Sequence, residues 1–168
     1  MSPHPDDHGR TGGLTHVRSD GTAHMVDVSA KAVTAREASA AGRVLLSAAA
    51  VSALREGVVP KGDALGVARL AGIQAVKRTP ELIPLAHPVA VHAAHVDVTV
   101  VDDGVMIEAT VRTADRTGIE MEALTAVSVA ALTVYDMCKS ADKGITIERI
   151  RLESKTGGKS GTFERTDD

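Results

Sequence analysis

Apolar residues recur at every second position at Val96, Val98 and Val100, and again at Val105, Ile107, Ala109 and Val111, with Asp102-Asp103-Gly104 between the two runs. A period of two belongs to strands with one buried face, and an acidic pair followed by glycine suits a tight reversal. The pattern predicts a β-hairpin starting near Ala94. Elsewhere the period lengthens. Thr34-Ala-Arg-Glu37 has the spacing of a capping box and predicts a helix through the Ala/Leu-rich segment to about Gly57. A second helix is predicted from Asp63, as N-cap, to the Thr79-Pro80 stop. Its two glycines, Gly66 and Gly72, each cost about 1 kcal/mol relative to alanine, which close helix packing would offset. A third helix is predicted over residues 122–141. Ile145, Ile147, Ile150 and Leu152 then mark a strand whose broken alternation suggests a bulge. Helices interspersed with antiparallel strands predict an α+β fold, a sheet layered against helices.

Residues 1–13 and 156–168 carry neither period and are rich in glycine and polar residues, so they are expected to be flexible ends flanking one domain over residues 14–155. The chain has no internal repeat of solenoid length.

Composition changes the picture of the core. With one Phe, one Tyr and no Trp, nearly all buried area must come from Ala, Val, Leu and Ile. Small side chains let backbones approach closely but bury less surface at roughly 25 cal/mol per Å², which favours an oligomer. A net charge of −3, without a Lys/Arg block or an aromatic stacking platform, argues against nucleic-acid binding. A lone Cys138, no apolar leader in the first residues and no apolar run judged long enough to span a bilayer predict a cytoplasmic, soluble protein with no membrane partner.

Several residues invite a chemical reading. Gly157-Gly158-Lys159-Ser160 looks like part of a phosphate loop, but the position where such a loop needs its first glycine holds Glu153, and no helix follows. His92 and His95 open a strand, where residues three apart face opposite ways, and no Cys cluster or HExxH accompanies them, so no metal site is expected. His87 stands in Leu-Ile-Pro-Leu-Ala-His-Pro, where two prolines fix the backbone around one titratable ring. Asp136 and Lys139, three residues apart, share a face of an otherwise apolar helix. They read either as a surface ion pair or as a carboxylate and an amine with coupled pKa values, one moving a proton while the other holds an anion. Glu120 and Glu122 stand two apart at or before that helix's start, where extended backbone would turn both the same way. They suit either the helix N-terminus or the paired N–H donors of a guanine-like ring edge. Arg36, Lys61, Lys77, Lys139 and Lys155 come from separate segments, and a polyphosphate would need several such cations together.

The segments HMVDVSAK, KGD, AGIQAVKRT, LIPLAHP, GIEMEALTAVSVAALTVYDMCK and GGKSG follow one another in one order with little insertion. In this the chain resembles the cyclic pyranopterin monophosphate synthases, the MoaC family, over residues 14–161. The resemblance implies a ferredoxin-like α+β subunit, an antiparallel sheet with helices on one face, assembled as a homohexamer of three dimers with active sites across subunit interfaces. It implies conversion of 3′,8-cyclo-7,8-dihydro-GTP to cyclic pyranopterin monophosphate with loss of diphosphate, a step in making molybdenum cofactor. It assigns acid/base catalysis to Asp136, with Lys139 and Lys61 beside it. Substrate contacts fall to Leu85, Ala86, His87, Glu120, Met121, Glu122, Lys77 and Lys155, with Arg36 a further phosphate contact. The family commonly carries Cys where this chain has Ala86 and Lys where it has Arg116; the arginine keeps the charge but is too basic to act as a base. Mutual repulsion among the lysines would depress their pKa values. No cofactor is fixed by the sequence, and Mg²⁺ is expected only as a companion of the triphosphate. Two rivals stand beside this reading. A zinc cyclohydrolase would need a Cys/His ligand set that is missing here. A non-catalytic nucleotide-binding regulatory module on the same fold would bind ligand without turnover.

Overall fold

The computed structural model describes residues 20–166, so the predicted N-terminal segment 1–13 lies outside the described residues. The elements run β1 (Thr34–Leu45), α1 (Ala48–Glu56), α2 (Ala64–Val76), α3 (Thr79–Leu82), β2 (Val91–Val101), β3 (Gly104–Asp115), α4 (Glu120–Cys138), β4 (Thr146–Thr156) and β5 (Phe163–Glu164). The strands form one sheet in the order β2-β3-β1-β4-β5, every neighbouring pair antiparallel. This is the α+β architecture expected.

The hairpin forms as read, with Val98 opposite Ile107 and Val101 opposite Gly104. The first predicted helix does not. Residues 34–45 are a strand, and its buried positions Ala38, Ala40 and Val44 alternate with less buried ones. Alanine is a poor strand residue in general, which made the segment look helical. Here it is needed because β1 lies under α4: a Cβ added at Gly42 would come within 2.6 Å of Val127 Cγ1. The helix that follows has its own N-cap, Ser47, which accepts from the N–H of Ala50, and ends at Gly57 in the left-handed conformation.

Asp63 caps α2 as expected, accepting from the N–H of Gly66 at 2.8 Å. The two glycines have different causes. At Gly72 a Cβ would stand 3.1 Å from both the Ala126 carbonyl oxygen and Val96 Cγ1, so α2 can approach α4 and the sheet closely only without a side chain. At Gly66 the space is taken by the capping carboxylate of Asp63.

The core is made of small residues throughout: Val44 from β1, Val96 and Val98 from β2, Val105, Ile107 and Val111 from β3, and Ala123, Ala126, Val127, Ala130, Ala131 and Val134 from α4. The alternate positions of the sheet carry polar groups. Ser39 and Thr110 hydroxyls meet at 2.8 Å, and Arg112 pairs with Glu37. The helices therefore cover one face. By length and hydropathy α4 is apolar enough to cross a membrane, contrary to the expectation that no run would be, and 56% of that stretch is buried in the fold as its central helix.

The bulge anticipated in the last long strand is present, with register shifts against β1 between Ser39 and Ala40 and between Ala41 and Arg43, and Arg149 at φ 53°. The segment after Thr156 holds more structure than its sequence suggests. The short strand β5 pairs Phe163 with Lys155 and Glu164 with Ser154, folding the tail back along β4.

Candidate functional site

The predicted residues fall into two groups at opposite ends of α4. At the C-terminal end, Asp136 accepts from Lys61 Nζ at 2.6 Å through one carboxylate oxygen and from Lys139 Nζ at 2.7 Å through the other. Lys139 is the C-cap residue of α4, and Lys61 stands in the turn ahead of the α2 N-cap. All three side chains are exposed, between 40% and 54%. Hydrogen bonds from Lys139 and Lys61 pull the Asp136 carboxyl down to about 2. The same contact raises the Lys139 amine, whose hydrogen bond to Asp136 outweighs the rest. The expected depression of the lysines by mutual repulsion is therefore overturned at Lys139, because the carboxylate sits between the two ammonium groups.

At the N-terminal end a pocket of about 270 Å³ is lined by Arg36, Ala86, His87, Glu120, Met121, Glu122 and Lys155, together with Glu37, Thr117, Gly118, Ile119, Thr156, Gly157 and Ser160. Seven predicted residues thus converge. The paired glutamates are not in extended backbone, as the sequence suggested, but in the first turn of α4, which begins at Glu120. They do different things. Glu120 is partly buried; burial opposes its charge, but the Lys155 ammonium at 2.7 Å and nearby Arg36 prevail and lower its pKa. Glu122 is 2% exposed, and burial lifts its carboxyl to about 7, with the Glu120 charge adding to the rise. The His87 ring is positioned by a 2.7 Å contact between Nε2 and the Val26 carbonyl oxygen.

Two of the predicted substrate contacts lie outside this lining. Leu85 is the neighbour of Ala86 on the loop, and Lys77 is the exposed C-cap of α2. Since Lys61 at the start of α2 meets the C-terminal end of α4 while Gly72 packs on Ala126, the two helices run antiparallel. Lys77 therefore stands at the end of the helix layer nearer the glutamate pocket. Glu37 was missed because it was read as half of a capping box. As a strand residue beside Arg36 it borders the pocket, while its carboxylate pairs with Arg112 on the open face of the sheet. Among the described residues no group of three or more His, Cys, Asp or Glu side chains could hold a metal; His95 pairs with Asp97 at 2.9 Å, and His92 Nδ1 accepts from the Ala114 N–H.

An α+β subunit with a carboxylate held between two amines and a separate pocket of glutamates and cations defines a class of small-molecule site divided between two places on one chain. The chain belongs to the MoaC family, whose sequence pattern matches residues 25–158. It is 61% identical over 153 residues to a protein of Streptomyces coelicolor named cyclic pyranopterin monophosphate synthase, covering 91% of this chain and 90% of that one. A protein of the same name from Nocardioides sp. is 62% identical over 155 residues, 90% of this chain and 95% of the relative. Another from Novosphingobium aromaticivorans is 56% identical over 151 residues, covering 90% and 96%.

Proposed function

We propose that this chain is a cyclic pyranopterin monophosphate synthase, a phosphorus–oxygen lyase that converts 3′,8-cyclo-7,8-dihydro-GTP to cyclic pyranopterin monophosphate and diphosphate in molybdenum cofactor biosynthesis. The observation that carries the reading is the Asp136 carboxylate bridged by Lys61 and Lys139. Closure of the cyclic phosphate forms one oxygen–phosphorus bond and breaks another to release diphosphate, while a hydroxyl gives up its proton. It needs a proton acceptor beside cations that stabilise the phosphate charge. At a pKa of about 2 Asp136 is ionised at neutral pH but a weak base. Drawing either ammonium onto a phosphate loosens its hold on the carboxylate and raises its basicity, so phosphate binding arms the base.

The glutamate pocket is the ring site in this reading. Glu120 and Glu122 accept the paired N–H donors of the guanine-derived edge, while Ala86, His87, Met121 and Lys155, with Leu85 and Lys77 beside them, frame the ring and its phosphates. One subunit cannot bring the two groups together. Glu120 and Asp136 are separated by about 24 Å of helix at 1.5 Å per residue, beyond the reach of one nucleotide. The active site is then completed by a second copy, within a homohexamer of three dimers. Exposed Leu70 (68%) and Leu132 (60%) on the outer helix layer supply apolar surface for such contacts. Mg²⁺, where it takes part, enters as a companion of the triphosphate, and the setting is cytoplasmic.

The test is to incubate the purified protein with the cyclic dihydro-GTP intermediate, metal-free and with Mg²⁺, and follow diphosphate and pterin together in wild type and Asp136→Ala. Joint release by wild type and near-silence in the variant support the synthase. Binding without turnover in both supports the regulatory module instead.

A further inference from the structure

Helix α4 ends without the device that ends α1. Gly57 closes α1 in the left-handed conformation and satisfies carbonyls of its last turn. At α4 the C-cap Lys139 keeps right-handed helical geometry, and of the described residues 139–144 none has a positive φ. The last carbonyls of a helix lack intrahelical partners, and the turn frays unless another contact holds it. Asp136 and Lys139 lie in or beside that turn with exposed side chains, so packing does not fix them.

A side chain further along supplies the contact. The Cys138 carbonyl oxygen accepts from the N–H groups of Ala141 at 2.8 Å and Asp142 at 3.1 Å, which winds the chain through one more turn. The Asp142 carboxylate then bridges two stretches of backbone. One oxygen accepts from the Gly144 N–H at 2.8 Å and closes its own loop, and the other accepts from the Ser47 N–H at 2.5 Å. These N–H groups, Ser47 first, lower the Asp142 carboxyl, so both bonds are made to a charged acceptor.

Ser47 links this loop to the other side of the cluster. It is the N-cap of α1, and α1 leads through Gly57 and the buried Val59 to the turn that carries Lys61, closed by the Gly62 N–H on the Val59 carbonyl oxygen at 2.9 Å. One cation beside Asp136, Lys139, therefore stands three residues before Asp142 in the chain. The other, Lys61, belongs to the segment that Asp142 grips through Ser47.

We propose that Asp142 is a positioning residue for the C-terminal cluster, tying the loop after Lys139 to the start of the segment that ends at Lys61 and so keeping both ammonium groups against Asp136. The proposal rests on the reading of Asp136 as the proton acceptor and deepens it. The hydrogen bonds of Asp142 go to Ser47 and Gly144 and not to the side chains of the cluster, so it acts through the backbone.

The test reads the cluster in the full-length protein with and without turnover. In steady-state kinetics with the cyclic dihydro-GTP intermediate, Asp142→Ala should lower kcat about tenfold or more and change KM less, as misplacement of a reacting group does. Asp142→Asn, which keeps one acceptor oxygen, should recover part of the loss. Ser47→Pro removes the same hydrogen bond from the donor side, at a φ of −63° that proline adopts, and should lose kcat as Asp142→Ala does. Ser47→Ala keeps the N–H and should lose less. The double variant Asp142→Ala/Ser47→Pro should be no worse than the worse single. Without substrate, competitive acetylation read by mass spectrometry follows the Lys139 amine, which its hydrogen bond to Asp136 holds above its ordinary pKa. In Asp142→Ala, shown by circular dichroism to be folded, Lys139 should label about threefold or more faster relative to Lys77, because a loosened amine gives up its proton more readily. A folded Asp142→Ala in which Lys139 labels as in wild type would overturn the proposal whatever its kcat, and so would equal acceleration at every lysine, the mark of a general loosening of the fold. If Asp142→Ala does not fold, Asp142→Asn and Ser47→Pro carry the same comparison. Selective Lys139 labelling in a protein that turns over no substrate would uphold the positioning role and overturn the synthase reading alone.

Discussion

Glu120 and Asp136 stand at opposite ends of the same helix, one in its first turn and the other in its last, each held by a lysine from another element. Lys155 of β4 reaches Glu120 at 2.7 Å, and Lys61 reaches Asp136 at 2.6 Å. If both charge clusters serve one substrate, the partner's cluster must complete each site. Asp136→Ala and Glu120→Gln should then each be nearly silent alone. Mixed and allowed to exchange subunits, they should recover activity to roughly a quarter of the wild-type rate, because random reassortment restores one intact site in four. Activity that stays silent after demonstrated exchange would place both clusters' work within single chains.

Within the C-terminal cluster the three residues should behave as a unit. Lys61→Ala, Lys139→Ala and Asp136→Ala are each expected to lower kcat by about 10²–10⁴, the range for loss of a positioned proton-transfer group. The double variant Lys61→Ala/Asp136→Ala should be little worse than the worse single, since removing one member already disarms the others. Multiplicative losses would mean that the two act independently. All three groups are exposed, so melting temperatures should hardly move.

How much of this could be read from the sequence depended on which physical signal each segment carries. The hairpin was legible because Val and Ile at period two are rarely anything but strand. The α2 cap was legible because Asp63 precedes a long apolar run. β1 was not, since alanine at Ala38 and Ala40 signals helix locally, and only the close approach of α4 makes small residues necessary there. The same misreading hid Glu37. Asp136 and Lys139 could be paired by helical spacing, but Lys61 joins them across the fold, a contact that only the antiparallel packing of α2 on α4 creates. The segment 157–160 was legible only as an incomplete phosphate loop, because its place beside Arg36 depends on a tail that folds back along β4.

Packing of α2 on α4 can be tested directly at Gly72. A Cβ there meets the Ala126 carbonyl oxygen and Val96 Cγ1 at 3.1 Å, so Gly72→Ala forces a small adjustment and Gly72→Leu a large one. Overpacking of this kind costs about 1–3 kcal/mol. The gain in helix propensity of about 1 kcal/mol offsets part of it for alanine. Urea unfolding at fixed protein concentration should show Gly72→Ala near wild type and Gly72→Leu clearly destabilised. Because the turn leading into α2 brings Lys61 to Asp136, Gly72→Leu should also lose activity. A leucine variant as stable as wild type would mean that the two helices are not packed through this glycine.

Glu122 gives the fold a pH dependence of definite sign. Burial raises its carboxyl from 4.5 to about 7, so between those values the folded chain keeps a proton that the unfolded chain has released. Stability from this group is fully present below 4.5 and is lost as pH rises through about 7. At pH 8 the ionised side chain is buried at 2% exposure, and the loss relative to pH 4.5 amounts to about 2–3 kcal/mol at 1.36 kcal/mol per pKa unit. Glu122→Gln removes the titration, so its unfolding free energy should change less than that of wild type between pH 5 and pH 8, the two curves diverging as pH rises. Ligand binding should run the other way. A carboxylate accepts from a ring's N–H donors and a neutral acid does so less well, so affinity for a guanine-type ring should climb through pH 7 in wild type and stay flat in the variant. Parallel unfolding curves with parallel binding curves would show that Glu122 is already ionised in the folded protein, and that the pocket holds its charge by a partner the second subunit supplies.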